Sequence, residues 1–177
     1  MRLARAAITI RRLAALVLLA AWSSALAADP ARTVILVRHA ERAGGMSADV
    51  GISEAGRCRA ESLARMLADA GVKRVFVTEV ARTQQTAQPL ADKLSLRPEV
   101  IPSKDIDGLV AKLRHGEPGG VALVVGHSNT LPEIISRMGG GTVRPIADDD
   151  YGNLFVVTLT AKSRVSVVRL RYAGCAQ

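Results

Sequence analysis

Apolar runs and amphipathic segments alternate along most of the chain. Residues 33–37 and 121–125 are unbroken runs of β-branched and aliphatic side chains, and residues 75–78 repeat the pattern. Such runs are typical of strands that are buried on both faces of a parallel sheet. Residues 52–71 and 82–94 instead place apolar side chains at helical spacing. The alternation predicts an α/β fold, a single three-layer α/β/α domain built on a mostly parallel sheet.

The first long helix carries recognisable start and stop signals. Ser53 is a plausible N-cap and Gly71 a plausible stop. Pro89 lies inside the second helix and is expected to disturb it, because proline removes one backbone hydrogen bond. The residues of the first helix that we expect to face the core share one side of the helix: Leu63, Met66, Leu67 and Ala70.

The rest of the chain predicts shorter elements and a different ending. Residues 97–102 indicate a short strand, residues 107–115 a helix, and residues 130–140 a helix that ends at glycines. Residues 153–160 and 164–172 are two strand-like runs with only three residues between them, too few for a crossover helix. They predict an antiparallel hairpin at one side of the sheet.

The first 27 residues have the pattern of a secretory signal peptide. Four arginines within the first 12 residues precede an apolar run at residues 13–22, and a small-x-small pattern ends at Ala27. The apolar run is shorter than the roughly 20 residues that span a bilayer, which disfavours an anchor. We therefore predict a signal peptide over residues 1–27, cleavage after Ala27, and a periplasmic or secreted domain over residues 28–177 with no stable membrane span.

Removal of this leader changes what the charge implies. The formal net charge falls from +8 to +4, because all four charged residues of the leader are arginines. Aromatic residues make up 3% of the chain, too few for a base-stacking surface, and no basic run remains. These features argue against a nucleic-acid partner. Cys58 and Cys175 could pair in an exported protein, but sequence alone leaves the pairing open.

Charged and imidazole side chains follow three of the predicted strands directly. Taken singly each has an ordinary explanation, since a histidine at a strand end can be a structural hydrogen-bonder and Arg82 can pair with Glu79. Jointly they are more informative, because the carboxyl ends of parallel strands lie along one edge of a sheet, where such folds bind ligands. Two guanidinium groups and two imidazoles at one edge would suit a phosphate dianion. The four residues are Arg38, His39, Arg82 and His127.

The segments that carry these residues resemble a known family. Residues 38–42 (RHAER), 82–87 (RTQQTA) and 126–130 (GHSNT) are similar to the three signature blocks of the histidine phosphatase superfamily, which includes the phosphoglycerate mutases. The resemblance runs from Thr33 to about Met138. It implies a phosphatase-like catalytic domain over residues 28–177, in which His39 takes the phosphoryl group as nucleophile. It further implies that the phosphate is bound, and the transition state stabilised, by Arg38, Arg82 and a protonated His127.

The proton donor for the leaving group is the least determined part of the expected site. Ser128 stands where some relatives carry an acidic residue after the second histidine, so the carboxyl group must come from elsewhere. We expect Asp107, with Asp105 and Glu79 as the alternatives. If none of them reaches the site, substrates with good leaving groups should be favoured. An acidic loop over residues 148–153 could also lie near the site.

Two further residues are assigned to substrate binding. Arg42 lies about one turn beyond the proposed nucleophile and could reach the phosphate, although a solvated loop position is an equal alternative. Ser128 is adjacent to the second histidine. No cluster of metal-ligating side chains is evident, and we expect neither a metal nor another cofactor.

The expected function is therefore phosphomonoester hydrolysis through a phosphohistidine. The short, glycine-rich loop after His39 predicts an open pocket, and export points to a phosphorylated small molecule or an envelope phosphate ester as substrate. Two alternatives remain open at this point. One is phosphotransfer of the phosphoglycerate mutase kind, and the other is an envelope module that binds phosphate without catalysis.

Overall fold

The described part of the chain forms a six-stranded sheet with helices on both faces. A computed structural model describes residues 30–45, 49–160, 162 and 164–175. The predicted signal peptide lies outside the described residues. The strands are β1 (Arg32–Arg38), β2 (Val72–Val77), β3 (Glu99–Val100), β4 (Val121–Gly126), β5 (Asn153–Leu159) and β6 (Val165–Arg171).

The strand order places β1 and β4 in the middle of the sheet. The order is β3-β2-β4-β1-β5-β6, with β3, β2, β4 and β1 parallel to one another. β5 runs antiparallel to β1, and β6 antiparallel to β5. This confirms the mostly parallel sheet and the C-terminal hairpin, which occupies one side of it. The carboxyl ends of β1, β2 and β4 therefore lie side by side.

The helices alternate with the parallel strands. They are α1 (Glu54–Leu67), α2 (Ala81–Lys93), α3 (Ile106–Arg114) and α4 (Thr130–Ile135). The predicted helix over residues 130–140 is shorter than expected, because a π-helical turn, Ser136–Gly140, replaces its second half. Gly139 has φ +87° within that turn, a left-handed conformation that interrupts a regular helix and favours glycine.

Each buried strand contributes side chains to two cores. In β1, Val34 and Leu36 pack with α3 and α4, whereas Ile35 and Val37 pack with α1 and α2. Side chains of a strand point alternately to the two faces of a sheet, so a strand covered on both faces must be apolar throughout. This is the physical reason for the unbroken apolar runs.

The first helix is close to its prediction, with two corrections. Ser53 is its N-cap, and the Ser53 hydroxyl accepts a hydrogen bond from the Gly56 amide. The helix ends at Leu67, four residues before Gly71, which follows in a turn with φ +71°. Met66 was expected in the core but is 47% exposed. The buried side of the helix is set by Ala60, Leu63, Ala64 and Leu67.

A disulfide joins α1 to the segment after β6. Cys58 and Cys175 are bonded, with 5.6 Å between their Cα atoms. Nearby, the Arg59 side chain donates to the Glu41 carboxylate at 2.7–3.0 Å and to the Tyr172 carbonyl at 3.1 Å. The pairing that the sequence left open is thus present, and it lies beside a salt bridge that connects α1 to the loop after β1.

None of the helices among the described residues is long and apolar enough to cross a membrane.

Candidate active site

A polar pocket of about 550 Å³ lies at the carboxyl ends of β1, β2 and β4. The structure brings to it six of the residues that the sequence assigned to the site: Arg38, His39, Arg42, Arg82, His127 and Ser128. β1 ends at Arg38 and β4 at Gly126, so the two histidines leave adjacent strands together. Their ring centroids are 5.5 Å apart. The predicted convergence at one edge of the sheet is therefore observed.

His39 is held in one orientation by the surrounding backbone. Its amide donates to the Gly126 carbonyl at 2.9 Å, which ties the end of β1 to the end of β4. Its ring nitrogen Nδ1 lies 2.8 Å from the Ala40 carbonyl. Because a carbonyl only accepts hydrogen bonds, Nδ1 carries the proton and Nε2 keeps its lone pair. Burial, together with the charges of Arg82 and Arg38, lowers the pKa of His39 to about 4 despite that hydrogen bond. The ring is neutral at pH 7, as a nucleophile must be.

His127 occupies a similar environment on the neighbouring strand. Its amide donates to the Thr130 hydroxyl at 3.1 Å, and its Nε2 lies 3.1 Å from the Thr78 hydroxyl. Burial and the charge of Arg82 lower the pKa of His127 to about 4, against the opposing effect of Glu79. The shift favours the neutral ring at pH 7 when no anion is bound. A bound phosphate dianion would favour its protonation.

The Arg38 guanidinium is fixed by the loop that precedes β5. Its Nη1 donates to the Ala147 carbonyl at 2.8 Å, and its Cζ lies 4.3 Å from the centroid of the Tyr151 ring. Nε of Arg38 is buried and makes no hydrogen bond to any residue that the structure describes. A phosphate oxygen in the pocket would give this donor a charge-assisted partner.

Arg82 lies in the first turn of α2 and adds a second guanidinium. Burial and the neighbouring positive charges of Arg42 and Arg38 lower the pKa of Arg82, although Asp49 opposes the shift. Mutual repulsion among these neighbouring cations is relieved when an anion binds between them. The arrangement of Arg38, Arg42 and Arg82 is therefore suited to an oxyanion with several negative oxygens.

The comparisons with known proteins agree with this geometry. The sequence profile of the histidine phosphatase superfamily (branch 1) matches residues 34–105, which include His39 and Arg82. This segment of the chain is therefore similar to the histidine phosphatase superfamily. His127 lies beyond the matched residues, and the fold places its ring centroid 5.5 Å from that of His39. No curated protein shows significant sequence similarity to the chain.

Several solved phosphatase structures share the fold. The protein histidine phosphatase SixA, complexed with tungstate, is 21% identical with a TM-score of 0.65, over 78% of this chain and 96% of that one. The α-ribazole phosphatase of Shigella flexneri is 17% identical with a TM-score of 0.65, over 82% and 99% of the two chains. A mycobacterial glucosyl-3-phosphoglycerate phosphatase is 13% identical with a TM-score of 0.58, over 82% and 100%.

The expected proton donors lie outside the pocket. Asp107 is on α3, its side chain is 84% exposed, and its carboxylate pairs with Arg137. Asp105 caps α3 by accepting from the Gly108 amide at 2.9 Å. The structure thus corrects the placement of Asp107, because the first turn of α3 directs its carboxylate toward Arg137 and not toward the histidines.

Glu79 is close to the site without lining it. Its carboxylate accepts hydrogen bonds from the amide and hydroxyl of Ser103 at 2.7 and 2.8 Å. Burial raises the pKa of Glu79, but the Ser103 hydrogen bonds outweigh this and hold the pKa below its usual value. Glu79 is therefore an ionised structural group and a poor proton donor.

The acidic loop before β5 contributes residues that were not assigned to the site from sequence. Asp148 lines the pocket, with Oδ1 3.5 Å from the Ser128 hydroxyl. Tyr151 also lines it, with its ring centroid 6.0 Å from that of His39. The acidic run over residues 148–150 was the only signal for this loop, and it did not indicate which side chain enters the pocket.

α1 packs closely against the loop after His39, and this contact depends on Gly56. A Cβ atom at Gly56 would collide with the Glu41 carbonyl oxygen. The helix can therefore reach the loop after His39 only with glycine at this position. Among the described residues, no group of His, Cys, Asp or Glu could hold a metal ion.

Proposed function

We propose that this protein is a phosphomonoesterase that forms a phosphohistidine on His39. The observation that carries the proposal is the pocket geometry, with two imidazole rings whose centroids are 5.5 Å apart beside the guanidinium groups of Arg38 and Arg82. A neutral imidazole is a competent nucleophile, and a covalent intermediate divides one difficult displacement into two easier ones. The similarity of residues 34–105 to the histidine phosphatase superfamily supports the same reaction class.

The proposed reaction has two balanced steps. Nε2 of His39 attacks the phosphorus, the bond to the ester oxygen breaks, and the leaving oxygen takes up a proton. Water then attacks the phosphohistidine, the N–P bond breaks, and inorganic phosphate leaves with His39 regenerated. Arg38 and Arg82 stabilise the charge that the phosphoryl oxygens carry through both transition states. His127, neutral in the free site, can take a proton as the dianion binds and so add a further donor.

Asp148 is our candidate for the proton donor to the leaving oxygen. It is the Asp or Glu residue that lines the pocket among those described, whereas Asp105 and Asp107 are engaged elsewhere. Its side chain is at the solvent-exposed rim, so it would assist a leaving group that projects outward. Proton donation by Asp148 should accelerate the reaction strongly only when the leaving oxygen is basic. Activated esters should react without this proton donation.

Substrates with different leaving groups test this role. We expect Asp148→Asn to lower kcat on an alkyl phosphate on the order of tenfold or more, because general-acid assistance to a basic alkoxide is lost. On p-nitrophenyl phosphate the same variant should retain its rate within about twofold, since phenolate leaves readily. Initial rates of phosphate release measure both. Asp149→Asn, an exposed neighbour outside the pocket, is the matched control. Equal losses on both esters would contradict the assignment.

We further propose that the reaction takes place outside the cytoplasm, on a phosphorylated small molecule or an envelope phosphate ester. The leader over residues 1–27 and the Cys58–Cys175 disulfide support an oxidising compartment. The structural neighbours include a protein histidine phosphatase and phosphatases of small molecules, so several substrate classes are compatible with the fold. N-terminal sequencing of the protein recovered from the periplasm should begin at Ala28. An intact Met1 in the cytoplasmic fraction would contradict export.

A further inference from the structure

A second cavity lies at the opposite end of the central strands. It has a volume of about 340 Å³ and is lined by the amino-terminal ends of β1, β2 and β4 and by the end of α3. β1 has seven residues, which at about 3.3 Å each puts the cavity roughly 20 Å from His39. The phosphatase reaction uses none of its residues. Its volume falls within the range of small-molecule sites.

An irregularity in β2 directs two consecutive cations into this cavity. Val72 pairs with Val121 of β4, and Arg74 pairs with the next residue, Ala122, so the register shifts at Lys73. In a regular strand, neighbouring side chains point to opposite faces of the sheet. Here Lys73 and Arg74 both line the same cavity. Bulges of this kind re-aim side chains and are frequent beside functional sites.

The cavity carries an excess of positive charge. Arg74 and Lys112 share one carboxylate, that of Glu99, at 2.9 and 2.6 Å. Lys73 forms no ion pair with any residue in the described ranges, although it lies beside these groups. The four lining cations are Arg32, Lys73, Arg74 and Lys112, and the acidic groups set against them are Glu99 and, at the rim, Glu117.

The cavity combines cationic groups with an apolar wall. The Arg32 Nε donates to the Gly116 carbonyl at 2.6 Å, which fixes one guanidinium at its edge. The Arg74 guanidinium lies 4.6 Å from the centroid of the Phe76 ring. Val121 and Ala122 of β4 are only partly buried, and they form an apolar wall between the cations.

From this arrangement we infer that the cavity is a binding site for a small organic anion, distinct from the catalytic pocket. The ligand class is a compact phosphate, phosphonate or carboxylate with a short apolar body. Its charged group would be held by Lys73 and Arg32, and its body would contact the β4 wall. This inference holds whether or not the phosphatase reaction does.

Residue-resolved NMR titration with phenylphosphonate tests the site. The C–P bond of this probe is not cleaved by ester hydrolysis, so the probe persists during the experiment. We expect saturable shifts of the Gly116, Gly120 and Val121 amides in the mature protein, separable from shifts of Ser128 and Asn129 in the catalytic pocket. Inorganic phosphate should bind the cavity more weakly because it lacks an apolar body.

A charge-reversed variant provides the decisive comparison. Lys73→Glu should weaken phenylphosphonate binding at the cavity amides at least tenfold and leave p-nitrophenyl phosphate hydrolysis unchanged. Lys93→Glu, at the exposed end of α2 and outside the cavity, should affect neither. Shifts confined to the catalytic pocket would overturn the inference. Unaltered cavity binding in Lys73→Glu, or equal binding of phosphate and phenylphosphonate, would also overturn it.

Discussion

Replacement of His39 by alanine is expected to lower phosphatase activity by about 10³-fold or more and to abolish the phosphoenzyme. His39 is the buried imidazole whose Nδ1 is hydrogen-bonded to a carbonyl, so its Nε2 has the lone pair for attack. Alanine offers no nucleophile, and the remaining guanidinium groups can only bind and polarise the ester. Initial rates on p-nitrophenyl phosphate measure the loss. Mass spectrometry after an alkaline denaturing quench, in which the N–P bond survives, detects the intermediate.

His115 provides the matched control for this variant. It follows α3, is partly exposed, and lies outside the catalytic pocket, so His115→Ala should retain full activity.

The pH dependence of the wild-type rate provides a second test of His39. Because burial lowers the pKa of His39 to about 4, the reactive neutral form predominates above that pH and the rate should fall only as the pH drops through about 4. Full activity of His39→Ala would refute the proposed nucleophile, and phosphate binding without turnover by the wild type would indicate a binding module.

Arg82→Ala is expected to lower kcat/KM on the order of 10²–10³-fold, comparable with the loss of one preorganised donor in other enzymes. Arg82 adds its positive charge to that of Arg38 at the same pocket, in a partly buried setting where such charge is worth more than in water. The loss should appear mainly in kcat if the guanidinium stabilises the transition state more strongly than it stabilises the bound ester. Steady-state kinetics on p-nitrophenyl phosphate separate the two parameters.

Arg82→Lys distinguishes charge from geometry. Lysine keeps the positive charge but loses the planar fork that matches two phosphate oxygens, so a partial recovery of activity is expected. Arg97→Ala, an exposed arginine away from the pocket, should have no effect. A loss below threefold in Arg82→Ala would mean that this side chain does not contact the transferring phosphoryl group.

The parallel part of the fold could be predicted because burial on two faces leaves a simple signature. A strand covered by helices on both sides has no polar position, and β1 and β4 show such runs directly in the sequence. The ends of helices were less predictable. α1 stops at Leu67 and Met66 is exposed, because the packing angle against the sheet, and not the helical period alone, decides which side is buried.

The site was predictable where it depends on strand ends and unpredictable where it depends on loops. Arg38 ends β1, and His39 and His127 directly follow β1 and β4, so the topology of the sheet brings them together. Asp107 was expected because mutase-like relatives carry a glutamate at roughly this position, but the orientation of α3 places it beside Arg137. Asp148 belongs to a segment without periodicity. Its approach to the pocket depends on long-range contacts such as that between Arg38 and the Ala147 carbonyl.

The ring stacked on Arg38 also gives the protein a built-in optical reporter. The single tryptophan of the sequence is Trp22, so a chain processed after Ala27 has no indole and emits only from Tyr151 and Tyr172. Tyr172 is 8% exposed beside α1, whereas Tyr151 lies 4.3 Å from a guanidinium in the anion pocket. Changes in ultraviolet fluorescence on adding an oxyanion can therefore follow occupancy without any attached dye.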